Sequence, residues 1–340
     1  MSDHVRAALA SIVEGSTLSL EEARLAMGAV MDGEATPAQL AALLMGLRMR
    51  GETVEELAGF ASAMRERVLR VEAPEGAIDV VGTGGDGSGT FNISTAAALV
   101  VASTGVPVAK HGNRAITSRS GSADVLEALG VRVDHDAESA GRALREVGFA
   151  FMFAPTFHPA MRHAGPTRRE IGVRTSFNLI GPLTNPAGTR RALIGVAEPA
   201  AAERIAAVAS LLGTDRTLVV HGAGVDELPL DGTGMVHDVI GDGVLTFTVN
   251  IDALGVARAP TSALAGGDAA ENAAIIEAIF AGQAGPRRDV VVLNAGAALV
   301  ASGTVAGLGE GVAAARAALD AGAPAALLGR LRADKAAVTA

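Results

Sequence analysis

The residues with the clearest chemical potential are glycines, hydroxyls and one lysine between positions 82 and 122, and two adjacent acids at 226 and 227. The stretch "GTGGDGSGTFNIST" (82–95) sets five glycines, Gly82, Gly84, Gly85, Gly87 and Gly89, among Thr83, Asp86 and Ser88. With so few side chains in the way, backbone N–H groups can close on a phosphate or diphosphate. Thr90, Asn92, Ser94 and Thr95 follow directly and open an alanine-rich helix, "STAAALVVASTG". The N-terminus of that helix adds partial positive charge and free N–H groups at the same place. Asn92, Ser94 and Thr95 could cap the helix or bind phosphate oxygens, and Ser94 or Thr95 could ligate a divalent cation. Capping alone is the bland alternative.

Gly82, Gly84 and Gly87 also spell a literal G-x-G-x-x-G after an apolar run. A dinucleotide fold needs an acid about 20 residues further on to hold the ribose hydroxyls. After Asp86 the next acid is Asp124, and the second strand ends instead in Lys110-His111. The loop therefore reads as a cradle for a different phosphorylated ligand. Lys110 places a full positive charge at the carboxyl end of its strand, where ligands of open parallel sheets sit. "NRAITSRSGSAD" adds Asn113, Arg114, Ser118, Arg119 and Ser122 just before another helix start, with solvated surface as the alternative for the arginines. A charge-assisted hydrogen bond is worth about 1.5–3 kcal/mol, so several can hold a polyanion on an acidic protein. A di- or triphosphate normally brings Mg²⁺, which asks for carboxylates. Asp226 and Glu227, in a loop after the apolar strand "TLVVHG", suit that ion, with an ordinary solvated pair as the alternative.

Positioning these groups requires strands and helices in alternation. The first 70 or so residues instead read as short helices, three of which start at capping boxes: Ser19 with Glu22, Thr36 with Gln39, and Thr53 with Glu56. From about Glu72, "AIDVVG", "VPVAKHG", "VRVD", "FAFMFAP", "ALIGVA" and "TLVVHG" alternate as strands with helical segments. "MVHDVI" and "GVLTFTVNI" form a strand pair, and "VVVLNAGAALVASG" is expected to be helix. The expected fold class is α/β: a small N-terminal α-helical domain and a larger α/β domain with a mainly parallel central sheet flanked by helices. The expected boundaries are 1–72 and 73–340, with 158–186 packing back on the helical domain.

The composition narrows the function. The 340 residues are 49% hydrophobic and 19% charged, a globular profile. A formal charge of −9, with no Trp, no Tyr and 9 Phe, argues against a nucleic-acid surface. The absence of cysteine excludes disulfides and thiolate metal sites. No apolar run is long enough to span a membrane and no secretory leader is apparent at the start, so a cytoplasmic protein is expected.

"GTGGDGSGTFNIST", "KHGNRAITSRSGSADVLEALG", "HPAMRHAGPTRREIGVRTSFNLIGPLTNPA" and "HGAGVDEL" resemble, in order and spacing, the anthranilate phosphoribosyltransferases of tryptophan biosynthesis. The resemblance covers nearly the whole chain. It implies transfer of 5-phosphoribosyl from phosphoribosyl pyrophosphate (PRPP) to the amine of anthranilate, with Mg²⁺ required and two ions per active site. It also implies a homodimer formed through the N-terminal helical domain, with the site in the cleft between domains. Carried over by motif position, Gly82, Gly84, Gly85, Asp86, Thr90, Asn92, Ser94, Thr95, Lys110 and Ser122 would contact PRPP or its metal. Ser94, Asp226 and Glu227 would hold the metal; Gly82, Asn113, His111, His158, Arg168 and Pro182 would meet anthranilate. Lys110 and Arg168 would act electrostatically and by positioning, and no side chain would be an obligatory general base. A pyrimidine-nucleoside phosphorylase is the nearest rival, since it resembles the family in fold but would not need the acid pair for metal.

Overall fold

A computed structural model describes residues 2–115 and 119–339, with the side chains of 337–339 left aside. Four helices come first: α1 (Asp3–Val13), α2 (Leu20–Met31), α3 (Pro37–Arg50) and α4 (Val54–Glu66). The capping boxes at Ser19, Thr36 and Thr53 all form, each hydroxyl accepting from the backbone of its Glu or Gln and each side chain answering to the cap's N–H. Local spacing alone produces these starts, because donor and acceptor lie within one turn.

The remainder runs β1 (Ile78–Gly82), α5 (Ile93–Ser103), β2 (Val108–Gly112), α6 (Ser122–Ala128), α7 (Ala137–Glu146) and β3 (Phe149–Phe153). Short helices α8 (Ala154–Phe157), α9 (Gly165–Ile171) and α10 (Ser176–Ile180) follow, then β4 (Arg191–Gly195), α11 (Pro199–Leu211) and β5 (Arg216–His221). The hairpin β6 (Gly234–Ile240) and β7 (Gly243–Val249) precedes α12 (Ala269–Phe280), α13 (Pro286–Ser302), α14 (Leu308–Asp320) and α15 (Ala323–Thr339). The stretch expected as helix at "VVVLNAGAALVASG" is α13, almost wholly buried.

The seven strands form one sheet in the order β3-β2-β1-β4-β5-β6-β7. The first five pair in parallel, and β6 and β7 close one edge antiparallel. The chain leaves β1 toward β2 on one side and returns to β4 on the other. The loops at the carboxyl ends of β1 and β4 therefore splay apart, the crevice where open α/β sheets bind ligands.

One expected strand is absent. "VRVD" carries Val131 and Val133 into the core but pairs with no strand, because β3 occupies the place beside β2. Alternating burial is satisfied there by packing alone, without a ladder.

Each face of the sheet has its own core. Leu193, Leu218, Val220 and Val236 pack with α5, α13 and the C-terminal helices. Ile194, Val219 and Val239 pack on the opposite face with α11 and the four N-terminal helices. Ala164, Phe177, Ile180 and Leu183 join that second core, and α9 and α10 contact α3 and α4. No helix among the described residues is long and apolar enough to cross a membrane.

Candidate active site

The glycine loop leaves β1 at Gly82, and the acid pair lies on the loop after β5; 142 residues of chain separate them. The fold closes that gap. The Gly84 amide donates to Asp226 Oδ2 at 2.8 Å. A Cβ on Gly82 would stand 2.3 Å from that same oxygen, and one on Gly195 would stand 1.7 Å from the Asp226 carbonyl. Glycine is needed at both positions because no side chain fits between the acid loop and the ends of β1 and β4. Just ahead of the acids, Ala223 holds φ at 51°, the one non-glycine residue with positive φ among those described. Such strain concentrates where a functional loop is held in one shape by its surroundings.

Burial raises the Asp226 carboxyl above the usual carboxylate range, and the nearby Asp86 adds to the effect. Glu227 is raised further, by burial first and by Asp226 second, against the pull of Lys110. The Ser94 backbone N–H bonds the Glu227 carboxylate, so this acid sits at the N-terminus of α5. Two crowded, desolvated carboxylates gain most from a nearby cation. Among the described residues no three His, Asp or Glu side chains gather into a metal cage. The donor set of two carboxylates and the Ser94 hydroxyl fits a hard ion that keeps part of its shell as water or phosphate oxygen.

Lys110 is buried beneath the loop. Its Nζ donates to the Val80 carbonyl at 2.5 Å and approaches Ser94 Oγ at 3.4 Å. Burial lowers its pKa, while Asp79, Glu227 and Asp226 pull the other way. Asn92 stands at the N-cap position of α5 but makes no side-chain capping bond. Its Nδ2 donates to the Ser120 carbonyl at 3.2 Å, and its Oδ1 accepts from Asn272 at 2.9 Å. Thr95 Oγ1 is buried without a partner. Capping therefore does not explain Asn92 or Thr95. Ser88 N donates to Asp86 at 3.1 Å, and Thr90 Oγ1 lies 3.1 Å from Ser88 Oγ, so Asp86 and Thr90 shape the loop.

Two of the expected anion donors are already neutralised. Arg114 pairs with Asp124 and Glu127 and lies over the Phe153 ring, and Arg119 pairs with Glu271 at 3.3 Å. Ser118 lies outside the described residues. Asn113 Oδ1 accepts from the Arg114 amide at 2.8 Å, and Ser122 Oγ donates to the Asn113 carbonyl at 3.3 Å.

The second wall comes from residues 158–183. His158 ends α8, and its ring centroid lies 5.1 Å from that of His111 at the end of β2. The two rings bond the Thr184 and Gly181 carbonyls respectively, and Nε2 of each is buried without a partner. Burial pushes His111 down to about 3, helped by His158, and pushes His158 down to about 4. Pro182 is buried in the 3₁₀ turn Gly181–Leu183 beside them. Arg168, on α9, stacks over Phe177 at 4.6 Å, and burial alone perturbs it; among the described residues no carboxylate pairs with it.

Three residues escape a reading of sequence. Asp79 lies inside the apolar β1 run, accepts from His111 N at 3.0 Å and from Asn185 at 2.7 Å, and is pushed up to about 6 by burial. Asn272, on α12, holds Asn92. Arg174 bonds the carbonyls of Thr83 and Gly84. Each acts through a distant partner, so no local spacing signals it.

Residues 6–68 match the helical bundle domain of the glycosyl transferase family, and residues 74–325 match its a/b domain. The anthranilate phosphoribosyltransferase of Rhodopseudomonas palustris is 50% identical over 333 residues, 98% of each chain. That of Azorhizobium caulinodans is 52% identical over 280 residues, 82% of this chain and 81% of its own. The crystal structure of the Thermus thermophilus enzyme superposes with a TM-score of 0.91 at 47% identity, covering 96% of this chain and 99% of that one. A Saccharomyces cerevisiae anthranilate phosphoribosyltransferase in complex with PRPP and Mg superposes at 0.90 with 25% identity over 99% of both chains. The chain thus belongs to the glycosyl transferase family of the anthranilate phosphoribosyltransferases.

Proposed function

We infer that the protein transfers the 5-phosphoribosyl group of PRPP to the amine of anthranilate, in tryptophan biosynthesis. A C1–N bond forms, the C1–O bond to pyrophosphate breaks, and N-(5-phosphoribosyl)anthranilate and pyrophosphate result. The carrying observation is the hydrogen bond from Gly84 to Asp226, which brings the acid pair onto the phosphate-type loop. A phosphorylase using free phosphate would have no task for those acids.

As pyrophosphate departs, the ribose gains oxocarbenium character, so holding the departing charge is the main demand. The amides of Gly82, Gly84 and Gly85 and the start of α5 supply oriented donors, with Asp86, Thr90, Asn92, Thr95 and Ser122 completing the PRPP contacts. Lys110 adds positive charge from below the loop, through the Val80 and Ser94 oxygens that it bonds. Mg²⁺, two ions per site held by Asp226, Glu227 and the Ser94 hydroxyl, would neutralise the leaving diphosphate. Arg168 receives the anthranilate carboxylate with two parallel hydrogen bonds. Asn113, His111, His158 and Pro182 line the ring.

The aryl amine is uncharged near neutral pH and its own carboxylate sits beside it to receive the proton. His111 and His158, depressed to about 3 and 4, are weak acceptors, which supports a mechanism with no obligatory general base. We assign residues 1–72 as a helical domain beside the α/β domain of 73–340, with 158–186 packing back on that helical domain. Its outer face carries Val13 and Met49, 85% and 83% exposed, which suits a homodimer through that domain in the cytoplasm. The test is consumption of anthranilate fluorescence with PRPP and Mg²⁺, each omitted in turn. Turnover should require all three; turnover with inorganic phosphate and a nucleoside instead would contradict the assignment.

A further inference from the structure

Asp86, Ser88 and Thr90 tie residues 86–90 of the glycine loop to one another, and the Thr83–Gly85 stretch ahead of them is held by groups that reach it from elsewhere. Two do so at the same residue. The Gly84 N–H is held by Asp226, from the loop after β5. Its carbonyl accepts a short hydrogen bond from Arg174 Nη1, while Nη2 of the same guanidinium lies 3.4 Å from the Thr83 carbonyl. A Cβ on Gly85 would lie 1.9 Å from Arg174 Nη1, which shows how closely the guanidinium is laid along the loop.

Arg174 sits in the turn between α9, which carries Arg168, and α10, which packs on α3 and α4. It is exposed, and among the described residues no carboxylate pairs with it. An exposed arginine normally keeps water or an acid as partner; this one spends its planar fork on two consecutive backbone carbonyls. Gly84 and Gly85, both left-handed at φ 61° and 68°, can adopt many other backbone shapes once released.

We propose that Arg174 is a positioning residue for the donor. By tying the Thr83 and Gly84 carbonyls, it fixes the orientation in which the loop's amides meet the diphosphate, and it joins that loop to the turn that bears the anthranilate-side Arg168. This rests on the reading of the site as a PRPP cradle. The class of ligand whose binding it sets is therefore the phosphorylated donor and not the aromatic acceptor.

The experiment is steady-state kinetics of Arg174→Ala and Arg174→Gln in the full-length protein, with Arg169→Ala, an exposed neighbour on α9, as control. Arg174→Ala should raise the PRPP KM about tenfold, the loss of one charge-assisted hydrogen bond, and leave the anthranilate KM within about twofold. Free guanidinium in the assay should lower that KM again, and Arg174→Gln, which keeps a single uncharged donor nitrogen, should fall between. Arg169→Ala should match the wild type. Equal rises in both KM values, or no rescue by guanidinium, would reduce Arg174 to a structural contact and overturn the proposal. No change in either KM would also overturn it while the wild type still turns over PRPP and anthranilate. A wild type inactive with that pair would instead bring down the function on which the proposal rests.

Discussion

The two walls of the cleft are built from different materials. The side proposed for the donor, Gly82–Thr95, is mostly backbone: glycine amides, a helix start and two acids delivered from a distant loop. The side proposed for the acceptor, residues 158–183, is made of individual side chains on short helices that share a core with the N-terminal bundle. A site made of backbone tolerates few local changes and depends on what reaches it from elsewhere. A site made of side chains can be taken apart one contact at a time.

The sharpest way to break the donor side is to remove its charges. Asp226→Asn with Glu227→Gln should lower kcat/KM by roughly three orders of magnitude, the scale of losing electrostatic support for the leaving group. Rates should also stop responding to added Mg²⁺. The double variant should stay folded, because burial already raises both carboxyls and the neutral amides relieve that cost.

The acceptor side should fail more selectively. Arg168→Ala removes a half-buried guanidinium with no carboxylate of its own, so the anthranilate KM should rise by roughly thirtyfold, the scale of a charge-assisted pair. The PRPP KM should barely move. If both constants rise together in steady-state assays, the division into two walls is wrong.

A smaller effect is expected from the histidines. His111→Ala and His158→Ala should each cost less than about tenfold in kcat, below the usual range for a general base. A loss matching that of the acid pair would give one of them the proton after all.

The same burial should be visible in stability. His111, His135 and His158 are depressed to about 3, 4 and 4 in the fold, from an ordinary 6.5. At these rings the unfolded chain takes up protons that the folded one refuses, so their contribution is full above pH 6.5 and is lost as pH falls toward 4. The buried carboxyls of Asp79, Asp226 and Glu227, raised in the fold, act in the opposite direction. Each histidine adds a slope of about 1.4 kcal/mol per pH unit in that window. In urea melts, the stability difference between the wild type and His135→Gln should therefore change between pH 7 and 4 in the direction that penalises the wild type at low pH. A difference that does not change with pH would mean that the His135 ring is solvated.

The parts of this molecule that could be read in the sequence are those decided within a few residues. Ser19, Thr36 and Thr53 announce their helices because each partner lies three residues on. The five glycines announce a phosphate-type turn because their conformational freedom is a property of the residue itself. "VRVD" misleads because pairing depends on which strand claims the place beside β2, and alternation does not encode that. Arg114 and Arg119 mislead for a related reason: their acids, Glu127 and Glu271, could not be assigned to them from spacing. Asp79 carries no local signal within its apolar strand, because its partners are the His111 amide and Asn185, which also bonds the Ala109 carbonyl on β2.

The central claim is that the acid pair and the glycine loop together hold one leaving diphosphate. Anomalous diffraction from a crystal soaked with PRPP and Mn²⁺ reads it most directly. Peaks beside Asp226, Glu227 and Ser94, with the diphosphate against the amides of Gly82–Gly85, are the predicted result. A bound donor whose metal peaks lie away from those acids would contradict it.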